Sequence, residues 1–561
     1  MQKADIAVLV VYFATMILVG LLYSKRVKSL EMYFAGGKQL SWWLGGVSFV
    51  MASVSAWSIV VYAAMGYEYG LVSLTLYWVS VPATLIVTWV LAVRWRRAGL
   101  LTPTEFLETR FSSGVRQLFV WSMLPLKILD DALKIAAIGI FVAAALKVSP
   151  DGTAIAIGLV TLLYTMLGGL WAVVITDFVQ FILVSTGIIL LAPLALHAAG
   201  GWHRVNTVLP HAYFLPVRAP YTWAYVASFL LLMVLATGGN WSLIQRFYSA
   251  RSDRASRSMG WTAAALFFLL PPIWISTGIF ARAFVSPQGF DPQTIYARVS
   301  LELLPPGMFG LIIAALIAAA MSVISSSYNV TAAVLTVDVY QRLIRPTATQ
   351  RELVGVGRAL TAFVGLIALV IAVLVLHFHW SMFDTMVLAF GFLLPPTVMP
   401  VIAGLLSGRL SARGAIAGFL AGMAVGIFFL FDREISGPAN ANKIQAASIF
   451  LSTTLSALVL WIAARFFPVK GEAAGRSSRF MEKLGKPLAA SEGVESPGLI
   501  AGLVIGVMGV TLIVLGLGMV LTTANKLTLG TGVALLGVGL VMGLGSRKVK
   551  APQPPVKVAG D

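Results

Sequence analysis

The sequence predicts an all-α polytopic membrane protein of about fifteen transmembrane helices, because apolar segments recur at membrane-spanning length along almost the whole chain. Two further observations agree. Of 561 residues, 59% are hydrophobic and only 11% charged, and the mean hydropathy is +0.90, a composition suited to lipid as solvent. The basic residues gather in alternate connections between the apolar segments, the pattern that orients helices in a bilayer.

Taken in order, the segments fall near 4–24, 42–64, 70–93, 115–146, 153–170, 171–196, 223–244, 258–284, 306–340, 354–376, 380–407, 412–431, 446–467, 498–522 and 527–545. The first has no basic leader and runs straight into Lys25, Arg26 and Lys28, so it reads as a retained helix and not a cleaved signal. Basic loops follow at Arg94, Arg96 and Arg97, at Arg246, Arg251, Arg254 and Arg257, at Arg342, Arg345 and Arg351, and at Arg409 and Arg413. Arg465 to Lys486 and the tail from Arg547 to Lys550 continue the series. This alternation predicts an amino terminus outside and a carboxyl terminus in the cytoplasm, in a plasma (inner) membrane.

The expected organisation is a first helix and inner loop (1–41), two five-helix units (42–196 and 223–407) joined by an outer loop (197–222), and two further helices (408–467). A cytoplasmic linker (468–497), two C-terminal helices (498–545) and a cytoplasmic tail (546–561) complete it. The long outer connections 197–222 and 285–305 read equally as caps over a vestibule or as surface loops.

Several functions are excluded. The net charge of +18 lies in short loops instead of on one polar face, so no nucleic-acid partner is expected. The chain has no cysteine, which removes disulfides and thiol chemistry. Its five histidines lie in or beside loops, and no Ser/His or paired-carboxylate set converges, so an enzyme is not expected. No Gly-rich phosphate loop followed by Lys and Ser/Thr is present.

The ninth segment, Met308 to Tyr340, is small and aliphatic in its first half, then carries Ser322, Ser325, Ser326, Ser327 and Asn329. Any one of these can bond back to its own helix, but together they form a hydroxylated wall at bilayer depth. The second segment carries Met51-Ala52-Ser53-Val54-Ser55-Ala56-Trp57-Ser58 at mid-span, and the seventh carries Ala236-Thr237-Gly238-Gly239-Asn240. Both invite a break. They occupy corresponding places in two five-helix units, which must be inverted because each has an odd number of spans. Matched broken helices point to the central site of a transporter.

These residues carry a resemblance over about residues 5–430. Tyr33-Phe34-Ala35-Gly36-Gly37, Thr102 to Phe111, Gly168 to Val173 with Thr176-Asp177, and Asn240 through Gln245-Arg246 stand in the order and spacing of one family. Ala319-Ala320-Met321-Ser322, Thr336 to Tyr340, Gly357-Arg358 and Ala412 to Ala415 continue it. The chain resembles the sodium:solute symporter family, whose fold is the LeuT-type five-plus-five inverted repeat with broken first and sixth core helices. The resemblance implies alternating-access symport of a small organic solute with sodium, and no other cofactor. It places a sodium ion at the backbone carbonyls of Met51, Val54 and Ala319 and the hydroxyl of Ser322, with Asp177 near the ion's inward path. An all-oxygen cage suits a hard monovalent cation. The matching solute positions are Ser53, Trp57, Ser58, Tyr77, Met233, Ala236, Thr237 and Asn240, fewer of them polar than a sugar requires.

Two departures open alternatives. Val323 stands where sodium-coupled members have a second hydroxyl. The fourth segment carries Lys127, Asp130, Asp131 and Lys134 inside a span, where Lys127 with Asp131 and Asp130 with Lys134 are the expected i,i+4 partners. A neutralised ladder and a proton or charge relay through Asp130, Asp131 and Lys134 both remain open, the latter giving proton-coupled or sodium-independent transport. A membrane solute sensor is the alternative of another class. Composition does not speak to the identity of the solute or the oligomeric state.

Overall fold

The computed structural model describes residues 3–24, 29–146, 148–286, 292–305, 307–378, 382–436 and 441–488, with scattered positions between 506 and 540. Apart from those positions, the two predicted C-terminal helices lie outside the described residues, as do the tail and Lys25, Arg26 and Lys28. Among the described residues the chain is helical and has no β-strand, only two isolated bridges. Nine helices among the described residues are long and apolar enough to cross a membrane, and two bent pairs also qualify when each is taken as one span.

The chain begins with α1 (Lys3–Ser24) and the short α2 (Leu30–Ala35). A broken helix follows, α3 (Trp42–Met51) with α4 (Ala56–Tyr69), bent by 63°. Then come α5 (Leu71–Ala98), α6 (Glu105–Arg110), α7 (Ser113–Leu146) and α8 (Pro150–Ala198). Helix α8 joins two predicted segments across a kink at Gly169, where φ is 59°. A Cβ there would also lie 2.6 Å from the Tyr33 carbonyl oxygen, so glycine is required twice over.

The outer connection holds α9 (Gly201–Val208). It also holds a turn at His211–Phe214 whose Tyr213 is buried and donates its hydroxyl to the Tyr67 carbonyl at 3.2 Å. This stretch is a packed cap and not a free loop. The second broken helix is α10 (Trp223–Gly239) with α11 (Trp241–Tyr248), bent by 54°. It is followed by α12 (Asp253–Ala281), α13 (Ile295–Leu303), α14 (Met308–Ile344), α15 (Gln350–His377), α16 (Met382–Leu406), α17 (Ala412–Ser436) and α18 (Ala441–Phe466). Within 468–497, read from sequence as a linker, Gly471–Gly485 form α19. Ser477, Phe480 and Leu484 make a buried face at helical spacing, and Phe480 stacks on Phe106.

Helix α14 is the axis of the molecule. The most apolar stretch of this span is wholly buried, packed against α8, α1, α7 and α15. Its alanines let neighbours come close, which is how helices associate when lipid offers no hydrophobic drive between them. Its amino terminus is capped by another helix: the Asp5 carboxylate of α1 accepts the backbone N–H groups of Gly307 and Gly310 at 2.7 and 2.9 Å.

Candidate functional site

The α3–α4 break forms without glycine. Helix α3 closes with the amides of Ala52 and Val54 bonded to the carbonyls of Ser48 and Val50. Helix α4 then opens with a capping box in which the Ser55 N–H donates to Ser58 Oγ at 3.0 Å and the Ser58 N–H donates to Ser55 Oγ at 3.3 Å. In a continuous helix those two amides would go to the carbonyls of Met51 and Val54. The box therefore takes from these two oxygens their i+4 donors, and they are the carbonyls expected to face a cation.

The hydroxyl wall lies beside this break. Ser322 Oγ of α14 and Ser48 Oγ of α3 each donate to the Asp177 carboxylate of α8, both at 2.5 Å. One carboxylate thus joins the helix that ends in the break to the helix that carries the serines. Asp177 is fully buried, with no solvated face at a helix end. Its counterion is Arg246 of α11, whose Nη2 lies 3.2 Å away and also donates to Ser326 Oγ at 2.6 Å. Arg246 Nε donates to Ser48 Oγ, and Nη1 donates to the Ser242 carbonyl and to Gln245 Oε1. Neither charge of the pair is exposed, so the hydrogen bonds around them replace the lost water.

Arg246 corrects the sequence reading, which grouped it with the basic loop residues Arg251, Arg254 and Arg257. It lies on α11, the second half of a broken helix, and points into the core. Ser48 was also missed as a partner of Asp177, and Ser326 as a partner of Arg246. The signal available was the Gln245-Arg246 motif itself, an arginine directly following an apolar span. Val323 is buried and brings no oxygen to the wall.

The solute candidates divide. The Tyr77 hydroxyl lies beside Ser58, and the Tyr77 ring packs edge-on against Tyr62 and Trp274. Met233 meets the Ser80 hydroxyl at 3.8 Å. Ala236 packs with Leu232, Trp241 and Leu394, and Thr237 is buried close to the second break. Ser53 donates to the Phe49 carbonyl, Ser58 donates to the Ser55 carbonyl, and the Asn240 side chain accepts the Ser242 N–H as the cap of α11. Those three polar side chains build the breaks. Trp57 is half-buried in the first turn of α4.

The charged ladder on α7 also divides. Lys134 pairs with Asp130 at 2.6 Å, as expected. The second expected pair is not made: no ion pair joins Lys127 to Asp131 among the described residues, and neither Asp131 oxygen has a hydrogen-bond partner in the protein.

Toward the end of α14 two motifs meet. Asp338 accepts from Thr102 Oγ1 at 3.1 Å, from Thr104 Oγ1 at 2.7 Å and from the Arg116 guanidinium. Backbone bonds between Leu40 and Ser249, and between Arg251 and Leu40, tie the approach to α3 to the end of α11.

The model of the sodium:solute symporter family matches residues 33–422. The chain belongs to that family. This symporter is a multi-pass membrane transporter and not an enzyme, and sodium-coupled symport is the activity of its class. It is 28% identical over 407 residues to a sodium/glucose cotransporter of Vibrio parahaemolyticus, an alignment covering 66% of this chain and 74% of that one. It is 25% identical over 374 residues to the sodium/sialic acid symporter NanT of Aliivibrio fischeri, covering 64% and 74%. In fold it is similar to a Na+-coupled sialic acid symporter solved in a substrate-bound, outward-open state, with TM-score 0.74 at 22% identity over 84% of this chain and 99% of the other. A nucleobase-cation-symport-1 family transporter, Mhp1, solved closed around bromovinylhydantoin, gives TM-score 0.52 at 12% identity, covering 79% and 97%.

Proposed function

We propose that the symporter holds its sodium ion where α3 breaks, between the carbonyls of Met51 and Val54 on one side and the Ala319 carbonyl and Ser322 hydroxyl of α14 on the other. The observation that carries this reading is the Ser55–Ser58 capping box, which withdraws the i+4 amides from those two carbonyls. The Ser322 hydroxyl gives its proton to Asp177 and so keeps its lone pairs for a cation, polarised by the carboxylate behind it. Val323 supplies nothing, and the charge of Asp177 is the compensation nearest to hand.

The solute lies beside the same break, against Trp57 and Tyr77 and toward Met233, Ala236 and Thr237. Two relatives are named for glucose and sialic acid, both rich in hydroxyls. Here Ser53, Ser58 and Asn240 are committed to the backbone, which favours a small organic solute with few polar groups and an aromatic or apolar face. The chain is oriented with its amino terminus outside, and ion binding favours the outward-open state, so a sodium gradient drives solute inward by alternating access.

The test is uptake by purified protein in liposomes, with the solute found by a thermal-shift screen run with and without sodium. Sodium should be required for uptake, and Ser322→Ala should raise the sodium concentration at half-maximal rate. Equal uptake with choline in place of sodium would overturn the proposal and favour the second reading, a proton-coupled carrier or exchanger motivated by Val323.

A further inference from the structure

The interface between α7 and α14 contains several polar groups that the sodium reading leaves unused. The two helices run antiparallel. At one end Gln117 Nε2 donates to the Asp338 carbonyl at 2.7 Å. Further along, Val120 and Met123 pack in one cluster with Val334 and Val330. The same register brings Asp131 opposite Ser327 on the facing helix.

Both residues are buried, Asp131 at 0% and Ser327 at 2% exposure. Both Asp131 oxygens and Ser327 Oγ lack a hydrogen-bond partner in the protein. An ionised carboxylate in such a place has lost its water and has no cation paired with it. Lys127, one turn earlier and itself buried, would relieve it by pairing, but that pair is not formed. Lys134 does not serve either, being engaged with Asp130.

One added proton removes the unpaired charge. A neutral Asp131 becomes a donor, and Ser327 Oγ is an acceptor on the facing helix. We propose that Asp131 is a proton-binding site of this transporter and that, when loaded, it donates to Ser327 across the α7–α14 interface. Loss of the proton reverses that bond, the Ser327 hydroxyl becoming the donor, and leaves a charge whose natural counterion is the Lys127 ammonium on its own helix. The proton thus selects between a neutral pair across two helices and a charge that draws in Lys127. Ser327 lies on the same helix as Ser322, so proton occupancy is linked to the sodium helix, and by reciprocity sodium should alter proton affinity.

The charged and titratable groups bearing on Asp131 are Lys127, Asp130 and Lys134 of α7 and Tyr328 of α14. Among the other helices packed on α7, α4 carries Tyr62, Tyr67, Glu68 and Tyr69, and α8 carries Asp151, Tyr164, Asp177 and His197. Helix α15 from 359 to 376 and α16 from 385 to 406 carry none, and neither does α17 from 414 to 431. Asp338, Glu108 and Arg116 are engaged with one another at the far end.

The site rests on the transporter reading only in its second readout. The first is infrared spectroscopy of the purified protein in lipid, which needs neither sodium nor solute. A protonated-carboxyl C=O band that shifts in deuterated water should be present at neutral pH and missing from Asp131→Asn. In Ser327→Ala the band should move to higher frequency as its hydrogen bond is lost. Lys127→Met should raise the pH at which the band disappears, since the competing ion pair is gone. If the band is the same in wild type and Asp131→Asn, or does not move in Ser327→Ala, the proposal is overturned. In liposomes, sodium-driven uptake should depend on pH in wild type and lose that dependence in Asp131→Asn, whose amide can still donate to Ser327. An unchanged pH profile in that variant also overturns it. Should Asp131→Asn fail to fold, the Ser327→Ala band shift decides alone.

Discussion

The two broken helices hold corresponding places in inverted halves, yet they are built differently and present different chemistry. The α3–α4 break contains no glycine. It is made by side chains, because Ser55 and Ser58 exchange hydrogen bonds with each other's amides and leave the preceding carbonyls without theirs. The α10–α11 break is made by one cap, Asn240, while Gly238 and Gly239 before it stay helical and let Val398 come closer than a Cβ on Gly239 would allow. There the Asn240 N–H still reaches the Ala236 carbonyl and the Asn240 carbonyl still accepts from Ile244. The first break offers bare oxygens. The second turns Arg246 inward against Asp177. Pseudo-symmetry thus repeats the architecture while one copy leaves carbonyls open at the proposed sodium site and the other supplies a fixed cation.

The strongest way to break this comparison is to remove the fixed cation. Arg246→Gln leaves Asp177 buried and unpaired and should cost ~3–5 kcal/mol, read as a large loss of folded protein by size-exclusion chromatography. Adding Asp177→Asn should restore much of that stability without restoring uptake. If Arg246→Gln is as stable as wild type, the second half-helix does not hold the core as described.

Next come the ligands of the first break. Ser322→Ala should raise the half-maximal sodium concentration roughly tenfold, equivalent to ~1.4 kcal/mol, with maximal uptake little changed, while Val323→Ser should lower it. A smaller effect is expected from the caps. Ser58→Ala and Asn240→Ala should each lower stability by about 1 kcal/mol in a denaturation assay. Only Ser58→Ala should also shift sodium dependence, and a matching shift in Asn240→Ala would erase the distinction between the breaks.

The smallest effect is at the surface beside Asp338. Desolvation pushes the Glu108 carboxyl up, but the Arg116 and Arg342 guanidiniums outweigh it and hold Glu108 below the usual carboxylate range. A carboxyl depressed in this way contributes stability above the ordinary carboxylate pKa and loses it as pH falls through its own lowered value. Glu108→Gln should therefore flatten the acid limb of a melting-temperature profile slightly, and leave the neutral region near wild type once the small loss of pairing is allowed for.

The positions of the spans, both breaks and the hydroxyl wall were legible in the residues because they are local properties. An apolar run of given length must cross the bilayer, and the positions of hydroxyls and glycines follow from order along one helix. Partnership is not local. Arg246 and Asp177 are far apart in sequence, and nothing in either neighbourhood says that one turns inward as the other's counterion, so Arg246 was assigned to a loop. Lys127 and Asp131 have the spacing of an ion pair, but packing against α14 left that pair open and aimed Asp131 at Ser327. The chain alone thus settled that this is a bundle of membrane helices with two interruptions, since hydrophobic length and helical period are written in consecutive residues. Which buried charges meet was settled only by the tertiary structure, because in a low-dielectric core each charge takes the partner that packing delivers, not the one that sequence spacing suggests.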